Sequence, residues 1–287
     1  MIYEQSQNQH RVRDMIQVGE DKYWTKSILV QQLQKIGIKQ GDVVMAHVAM
    51  RSVGNCLNGA DDLIQAILTV LGVGGVLLCY TNWEQNYEDS FDVRGHVPSE
   101  LKSEIMPYDR LFSRASRDHG VFSECVRTTK GAIRSQNPGA SVVAIGNNAE
   151  YFVENHSLDY GYGNDSPFAK LVERQGKVLM VGAPYETMSL LHHAEHLANI
   201  PNKRIRKMEI PLLQNNQVEW VMLEEFDTVD PVCEQFNQDY FKDIVGHFCH
   251  AHSEVIIEGI IGSANTLLVP AKEILNYAVY WMENYRS

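Results

Sequence analysis

The chain has 287 residues, large for one core and small for two, so one α/β domain with an insertion or small subdomain is expected. Its formal net charge of −11 argues against nucleic acid, whose phosphates demand Lys and Arg, and is compatible with a cationic ligand or with simple solubility. No apolar stretch is long enough to span a bilayer, Met1 to Arg13 carries no signal-type apolar run, and the five scattered cysteines (Cys56, Cys79, Cys125, Cys233, Cys249) form no CxxC, so a cytoplasmic protein without a membrane partner or disulfide framework is expected.

In chain order, residues 1–23 read as a polar lead-in and residues 24–287 as the folded domain. A helix is predicted from Thr25 to Ile36, with Ser27 a second possible cap and Gly37 as its stop. A buried strand over 42–47, a helix from about Ala60 to Leu71 and a strand over 74–80 form a βαβ unit with parallel strands. Asp61 and Asp62 suit the positive end of that helix. Residues 81–130 lose regular patterning and mix aromatics with acids, which reads as a binding loop or lid.

Regularity returns with a strand over 141–146, a short helix from Asn148 to Glu154, and a helix over 168–174 capped by Ser166 with Pro167 at its first position. A strand from Lys177 leads to Pro184 and a helix that Glu186 or Thr187 can cap. Segments 204–211 and 217–223, joined by Asn215-Asn216, read as a β-hairpin. A helix over 231–248, a strand over 254–261 and a closing helix over 270–286 complete the chain.

The chemistry is placed on the helix after Pro184. Leu190, Leu191, Ala194, Leu197 and Ala198 fall on one apolar stripe, and His192, Glu195, His196 and Asn199 share the polar face beside it. Two imidazoles and a carboxylate just beyond a strand end mark a candidate site. His192-x-x-Glu195-His196 also matches the inverted zinc-peptidase pattern, with Glu195 as base, so a zinc hydrolase is the competing reading; a third ligand would have to come from acids downstream. Arg51-Ser-Val-Gly54, between a strand and a helix, could offer amides to a phosphate, although a plain βα turn has the same pattern. Glu224-Glu-Phe-Asp227 groups three carboxylates around an aromatic, suited to a polyamine or to a solvated turn. No P-loop, G-x-S-x-G or G-x-G-x-x-G stands at a strand–helix junction.

Taken in order, Met45-Ala-His-Val-Ala-Met-Arg-Ser-Val-Gly54, Tyr80-Thr-Asn-Trp-Glu84, Pro107-Tyr-Asp109, Arg134-Ser-Gln-Asn-Pro-Gly-Ala-Ser141, Asp159-Tyr-Gly-Tyr-Gly163, Gly182-Ala-Pro184, Ser189-Leu-Leu-His-His-Ala-Glu195, Ile200-Pro-Asn-Lys-Arg204 and Glu225-Phe-Asp227 form a set. With them the chain resembles the antibiotic N-acetyltransferase family, the aminoglycoside 3-N-acetyltransferases that use acetyl-CoA, over roughly residues 25–285.

The resemblance implies transfer of acetyl from acetyl-CoA to the 3-amino group of a 2-deoxystreptamine aminoglycoside within a ternary complex, conferring antibiotic resistance. It makes His192 the general base, Glu195 its orienting partner and Ser189 a hydroxyl near the thioester. Arg51, Ser52, Val53 and Gly54 would cradle the coenzyme A pyrophosphate. Tyr80, Trp83, Glu84, Asp109, Asp159, Glu225 and Asp227 would line the drug site, where cationic amines need carboxylates and sugar rings pack on aromatics. No metal is expected, and His196 becomes a neighbouring residue. Asn137 stands where the family often has His, so its role is open. The fold expected is α/β with a mainly parallel central sheet flanked by helices, a small β-hairpin/helical subdomain and the long loop over 81–130, in a monomer or homodimer.

Overall fold

The structure is a computed structural model and describes residues 15–83 and 86–285. Most of the polar lead-in, and Glu84, therefore lie outside the described residues. The end of the lead-in is not irregular. Strands β1 (Ile16–Val18) and β2 (Asp21–Tyr23) form a short hairpin.

Helix α1 (Lys26–Lys35) buries Ile28, Leu29 and Leu33, and neither Thr25 nor Ser27 caps it; their hydroxyls bond each other. Next come β3 (Val43–Val48), the single turn α2 (Met50–Val53), α3 (Ala60–Leu71) and β4 (Val76–Tyr80). Asp62, in the first turn of α3, accepts both the backbone and side-chain N–H groups of Asn58, which fixes the helix start.

The segment after β4 was expected to be irregular throughout, but it ends in α4 (Gly120–Thr128). Phe122 and Val126, one turn apart, are buried and anchor this helix. Strands β5 (Ile133–Arg134) and β6 (Val142–Gly146) and helices α5 (Ala149–Val153) and α6 (Pro167–Glu173) follow. The Ser166 hydroxyl caps α6 by accepting the Ala169 N–H at 3.1 Å, as predicted.

Strand β7 (Lys177–Val181) leads to α7 (Leu190–Leu197) through a 3-10 turn at Tyr185–Thr187. Neither Glu186 nor Thr187 caps α7, because the Thr187 hydroxyl turns back to the Pro184 carbonyl at 2.6 Å. Strands β8 (Ile205–Gln214) and β9 (Gln217–Phe226) form the predicted hairpin. Asn215 and Asn216 both hold positive φ, the twist that a two-residue hairpin turn requires.

The helix predicted over 231–248 is shorter and shifted. Only α8 (Tyr240–Ala251) is helical, because the Asn237 side chain takes the Asp239 N–H and organises a turn before it. Strand β10 (Ile257–Ile261) turns into an unpredicted strand, β11 (Ala264–Pro270), before the closing helix α9 (Ala271–Glu283).

Seven strands form one sheet in the order β10-β11-β7-β3-β4-β6-β5. Parallel pairing occupies its centre, β7-β3-β4. The outer pairings are antiparallel, so the parallel character expected of the sheet holds for its middle three strands only. Side chains alternate across the sheet. Val44, Ala46, Leu77 and Leu179 pack under α1, α3 and α4, while Met45, Leu78, Met180 and Val178 pack under α5–α9.

The β8–β9 hairpin stands apart from this sheet and packs on the 81–119 loop. Trp83, Tyr108, Ile210, Leu212 and Leu223 make a small core between them. Tyr108 adds a strand-like bridge to the hairpin, donating to the Pro211 carbonyl at 2.7 Å and accepting from the Leu213 N–H at 2.9 Å. Gly95 sits in this seam at φ +82°, and a Cβ there would overlap the Lys207 carbonyl. Gly95→Ala should therefore lower the unfolding free energy by about 3 kcal/mol, read as a fall in denaturant midpoint, because strained φ and overpacking act together.

Candidate active site

The site forms where α7, the loop after β4 and the hairpin converge, beyond the carboxyl ends of the central strands. His192 opens toward a cavity of about 400 Å³ whose lining includes Tyr80, Trp83, Glu88, Asp118, His119, Tyr162, Arg206 and Glu225. Its Nδ1 lies 2.6 Å from Glu195 Oε2. The carboxylate accepts there, so Nδ1 carries the proton and Nε2 presents its lone pair. The ring is clamped between Tyr162 and Phe241, with centroids at 4.8 and 4.9 Å.

Glu195 is 1% exposed, and its second oxygen accepts from the Tyr240 hydroxyl on α8. Burial pushes its carboxyl pKa upward, and the His192 ring opposes that shift. The family resemblance implies Glu195 as partner; Tyr240, 45 residues on, carries no signal in the sequence.

The cavity wall is acidic. Burial raises the Glu225 carboxyl to about 7, while the Phe226 N–H, which it accepts, pulls it down. An ammonium ligand beside it would pull the pKa lower, so ligand binding releases a proton near pH 6–7, and affinity for a cation falls as pH drops below about 7. The folded pKa lies above the usual carboxyl value. Ionised Glu225 thus costs stability fully above pH 7 and not at all below about pH 4.5. Glu225→Gln should raise the unfolding free energy by about 2 kcal/mol at pH 8, leave it unchanged at pH 4.5, and weaken binding of a polyamine ligand about tenfold. Thermal unfolding at the two pH values and calorimetric titration check both signs.

A second, narrower chamber of about 120 Å³ adjoins the first, sharing Tyr80, Asp118 and His119. Its other walls are the end of β3 (His47 to Ala49), the start of α4 (Gly120, Ser123), and Ala183, Pro184 and Thr187. The Nε2 of His47 is buried without a hydrogen-bond partner among the described residues, and burial with the nearby His119 holds the ring neutral, its pKa about 3. Burial likewise lowers His119 to about 4. A group that donates a hydrogen bond in this chamber would supply His47 with a partner.

Of the predicted residues, the structure brings His192, Tyr80, Trp83 and Glu225 to the first cavity, with Glu195 behind His192. Several others serve local backbone structure instead. Asp109 caps its own turn through the Leu111 N–H at 2.7 Å. Asp159 accepts the Glu224 N–H at 2.8 Å and ties its loop to the hairpin. Asp227 accepts the Val229 N–H at 3.0 Å and faces Arg204. None of the three lines the first cavity, although Asp109 lines a neighbouring one of about 1130 Å³ that shares Trp83 with it.

Ser189 is 5% exposed, lines neither chamber, and directs its hydroxyl at the Thr187 carbonyl 3.5 Å away. The Arg51–Gly54 loop is not an open amide cradle. The Ser52 and Val53 amides bond the Ala49 carbonyl, the Gly54 amide bonds Met50, and Val53 is fully buried. Ser52 lines a separate groove beside Gly182 and Ser263. Asn137 acquires a role as a loop staple. Its side chain donates to the Ser157 and Leu158 carbonyls and accepts the Ala140 N–H.

Cavity residues that the sequence did not single out include Asp118, His119 and Arg206; Tyr162 stood in the Asp159–Gly163 motif and Glu88 among the acids of the loop without an assigned role. The zinc arrangement does not assemble. The His196 ring packs against Tyr160 and Phe226 outside the cavity, and among the described residues no group of three or more His, Cys, Asp or Glu side chains converges.

An acidic cavity, a carboxylate-oriented imidazole at its edge and a narrow second arm together define an enzyme cleft for a cationic substrate and a chain-like co-substrate. The profile of the aminoglycoside 3-N-acetyltransferase family matches residues 45–283. Aminoglycoside N(3)-acetyltransferase III of Pseudomonas aeruginosa is 37% identical over 268 residues, covering 91% of this chain and 94% of that protein. A structure of AAC-IIIb in a binary complex with CoASH superimposes with TM-score 0.89 at 47% identity, covering 91% of this chain and 97% of that one. A structure of sisomicin-bound AAC-VIa gives TM-score 0.88 at 28% identity, covering 92% and 100%. The chain belongs to the aminoglycoside 3-N-acetyltransferase family, a family of acyltransferases. Among the described residues no helix is long and apolar enough to cross a membrane.

Proposed function

We propose that this enzyme transfers acetyl from acetyl-CoA to the 3-amino group of 2-deoxystreptamine aminoglycosides, with His192 as general base in a ternary complex. The observation that carries the reading is the His192–Glu195–Tyr240 relay at the edge of an acidic cavity. An ammonium has no lone pair, so it first gives one proton to solvent; the neutral amine loses a second as it attacks, and Nε2 of His192 is the lone pair that takes it. The amine nitrogen then bonds the thioester carbonyl carbon, and the C–S bond breaks. The thiolate takes the proton back from Nε2, and Glu195 steadies the imidazolium in between.

Glu225 and Asp118 supply the negative field for the amines, and Tyr80 and Trp83 the flat apolar surface for a ring. The relatives named for aminoglycoside acetylation, the CoASH-bound neighbour and the sisomicin-bound neighbour support the two substrates. His47 and the amides at the start of α4 would hold the pantetheine arm. The described residues offer no cysteine to the cavity, which favours direct transfer.

Thiol release from acetyl-CoA, measured with and without 4,6- and 4,5-disubstituted aminoglycosides after chelator treatment, tests the reading. Drug-dependent release that survives the chelator is expected. Release that requires added metal, or that no drug stimulates, contradicts it.

A further inference from the structure

The cavity that must attract a polycation contains a fixed cation of its own. Arg206 lines it, and its guanidinium lies 2.9 Å from the Glu88 carboxylate on the opposite wall. The strand register makes Arg206 the cross-strand partner of Glu225, so the hairpin presents a guanidinium and a carboxylate side by side. Among the described lining residues Arg206 is the only Lys or Arg, facing Glu88, Asp118 and Glu225. The pair is half-buried, with side-chain exposures of 29% and 26%, so water screens it only in part. Phe91, in the same loop turn as Glu88, flanks the guanidinium, its ring centroid 6.0 Å away. The cavity's carboxylates are thus unlike. Glu88 is ion-paired with Arg206, whereas Glu225, the cross-strand neighbour of Arg206, accepts the Phe226 N–H and makes no ion pair among the described residues.

We infer that Arg206 is a specificity-determining residue, which by occupying Glu88 makes its part of the cavity accept a hydroxyl in preference to an ammonium on the aminoglycoside. An ammonium there must either displace the guanidinium from Glu88 or sit beside a like charge, whereas a hydroxyl can accept from the guanidinium and donate to the carboxylate. The inference rests on the substrate class proposed above and adds which substituent pattern that class must carry.

The test compares kcat/KM for pairs of aminoglycosides that differ by one amino-for-hydroxyl replacement, such as kanamycin A with kanamycin B and paromomycin with neomycin. Because each ratio is taken on one protein preparation, partial unfolding of a variant cancels from it. In Arg206→Gln, Glu88 becomes free to take an ammonium, and the amino/hydroxyl ratio should rise about tenfold over wild type for at least one pair. In Arg206→Gln combined with Glu88→Gln, that gain should vanish, since no carboxylate remains to take the ammonium. A ratio within twofold of wild type for every pair in Arg206→Gln, or a gain that persists in the double variant, overturns the inference. Wild-type enzyme that releases thiol with no member of any pair overturns the proposed function instead, and the inference with it.

Discussion

His192→Ala lowers kcat by about 10² or more, with KM for both substrates nearly unchanged, because it removes the group that takes the amine proton and nothing that holds the drug. The cavity's carboxylates stand on other elements: Glu225 on the hairpin, Glu88 and Asp118 on the loop after β4. His192 is a wall of that cavity and packs on Tyr162 and Phe241, so alanine leaves a space without dismantling the acidic surface. Stopped-time thiol release under saturating drug and acetyl-CoA reads the loss. Turnover within threefold of wild type would mean that the proton leaves by another route.

Glu195→Gln is expected to be nearly as damaging, although it changes one oxygen to nitrogen and leaves the shape intact. The Tyr240 hydroxyl donates to one Glu195 oxygen, and Nδ1 of His192 donates to the other. The amide keeps one acceptor for Nδ1–H, because the Tyr240 hydroxyl can accept from its NH₂. What it cannot supply is the negative charge that steadies imidazolium, and that loss should lower kcat by about 10² or more, with little effect on KM. Full activity of Glu195→Gln would show that the carboxylate merely fills space. The variant's fold is checked by its thermal transition, since buried Glu195 resists ionisation and an amide removes that burden.

What the sequence made legible was mostly local. The Ser166-Pro167 start of α6, the Asn215-Asn216 turn and the apolar spacing of α3 each rest on a few neighbouring residues, and each stands as expected. Strand β11 was missed although Leu267 to Val269 is an apolar run that directly follows its antiparallel partner β10; its other neighbour, β7, lies far back in the sequence. Helix α4 was missed because Glu124 and Arg127 continue the composition of the loop before it, and only the Phe122–Val126 spacing marks it.

The site divides in the same way. His192 and Glu195 share a helical face, so their spacing alone brought them together, but the preference for His192 over His196 came from family resemblance; the reason visible in three dimensions is that Tyr160 and Phe226 wall His196 in. The resemblance placed Asp109, Asp159 and Asp227 in the drug site. A carboxylate that accepts a backbone N–H two residues on, or one on a distant loop, has the same local sequence as one that faces a ligand. Glu88 and Arg206 stand 118 positions apart, and only the packing of the loop on the hairpin creates their pair.

The central claim is acetyl transfer to one nitrogen of the deoxystreptamine ring, and the position of the acetyl group tests it most directly. Acetyl-CoA labelled with ¹³C at the carbonyl, an aminoglycoside accepted in the thiol-release assay, and wild-type enzyme would be combined and the product examined by heteronuclear NMR. The account predicts one amide carbonyl, coupled through nitrogen to the proton on C3 of deoxystreptamine. An acetyl ester, or an amide on any other amine, would contradict it.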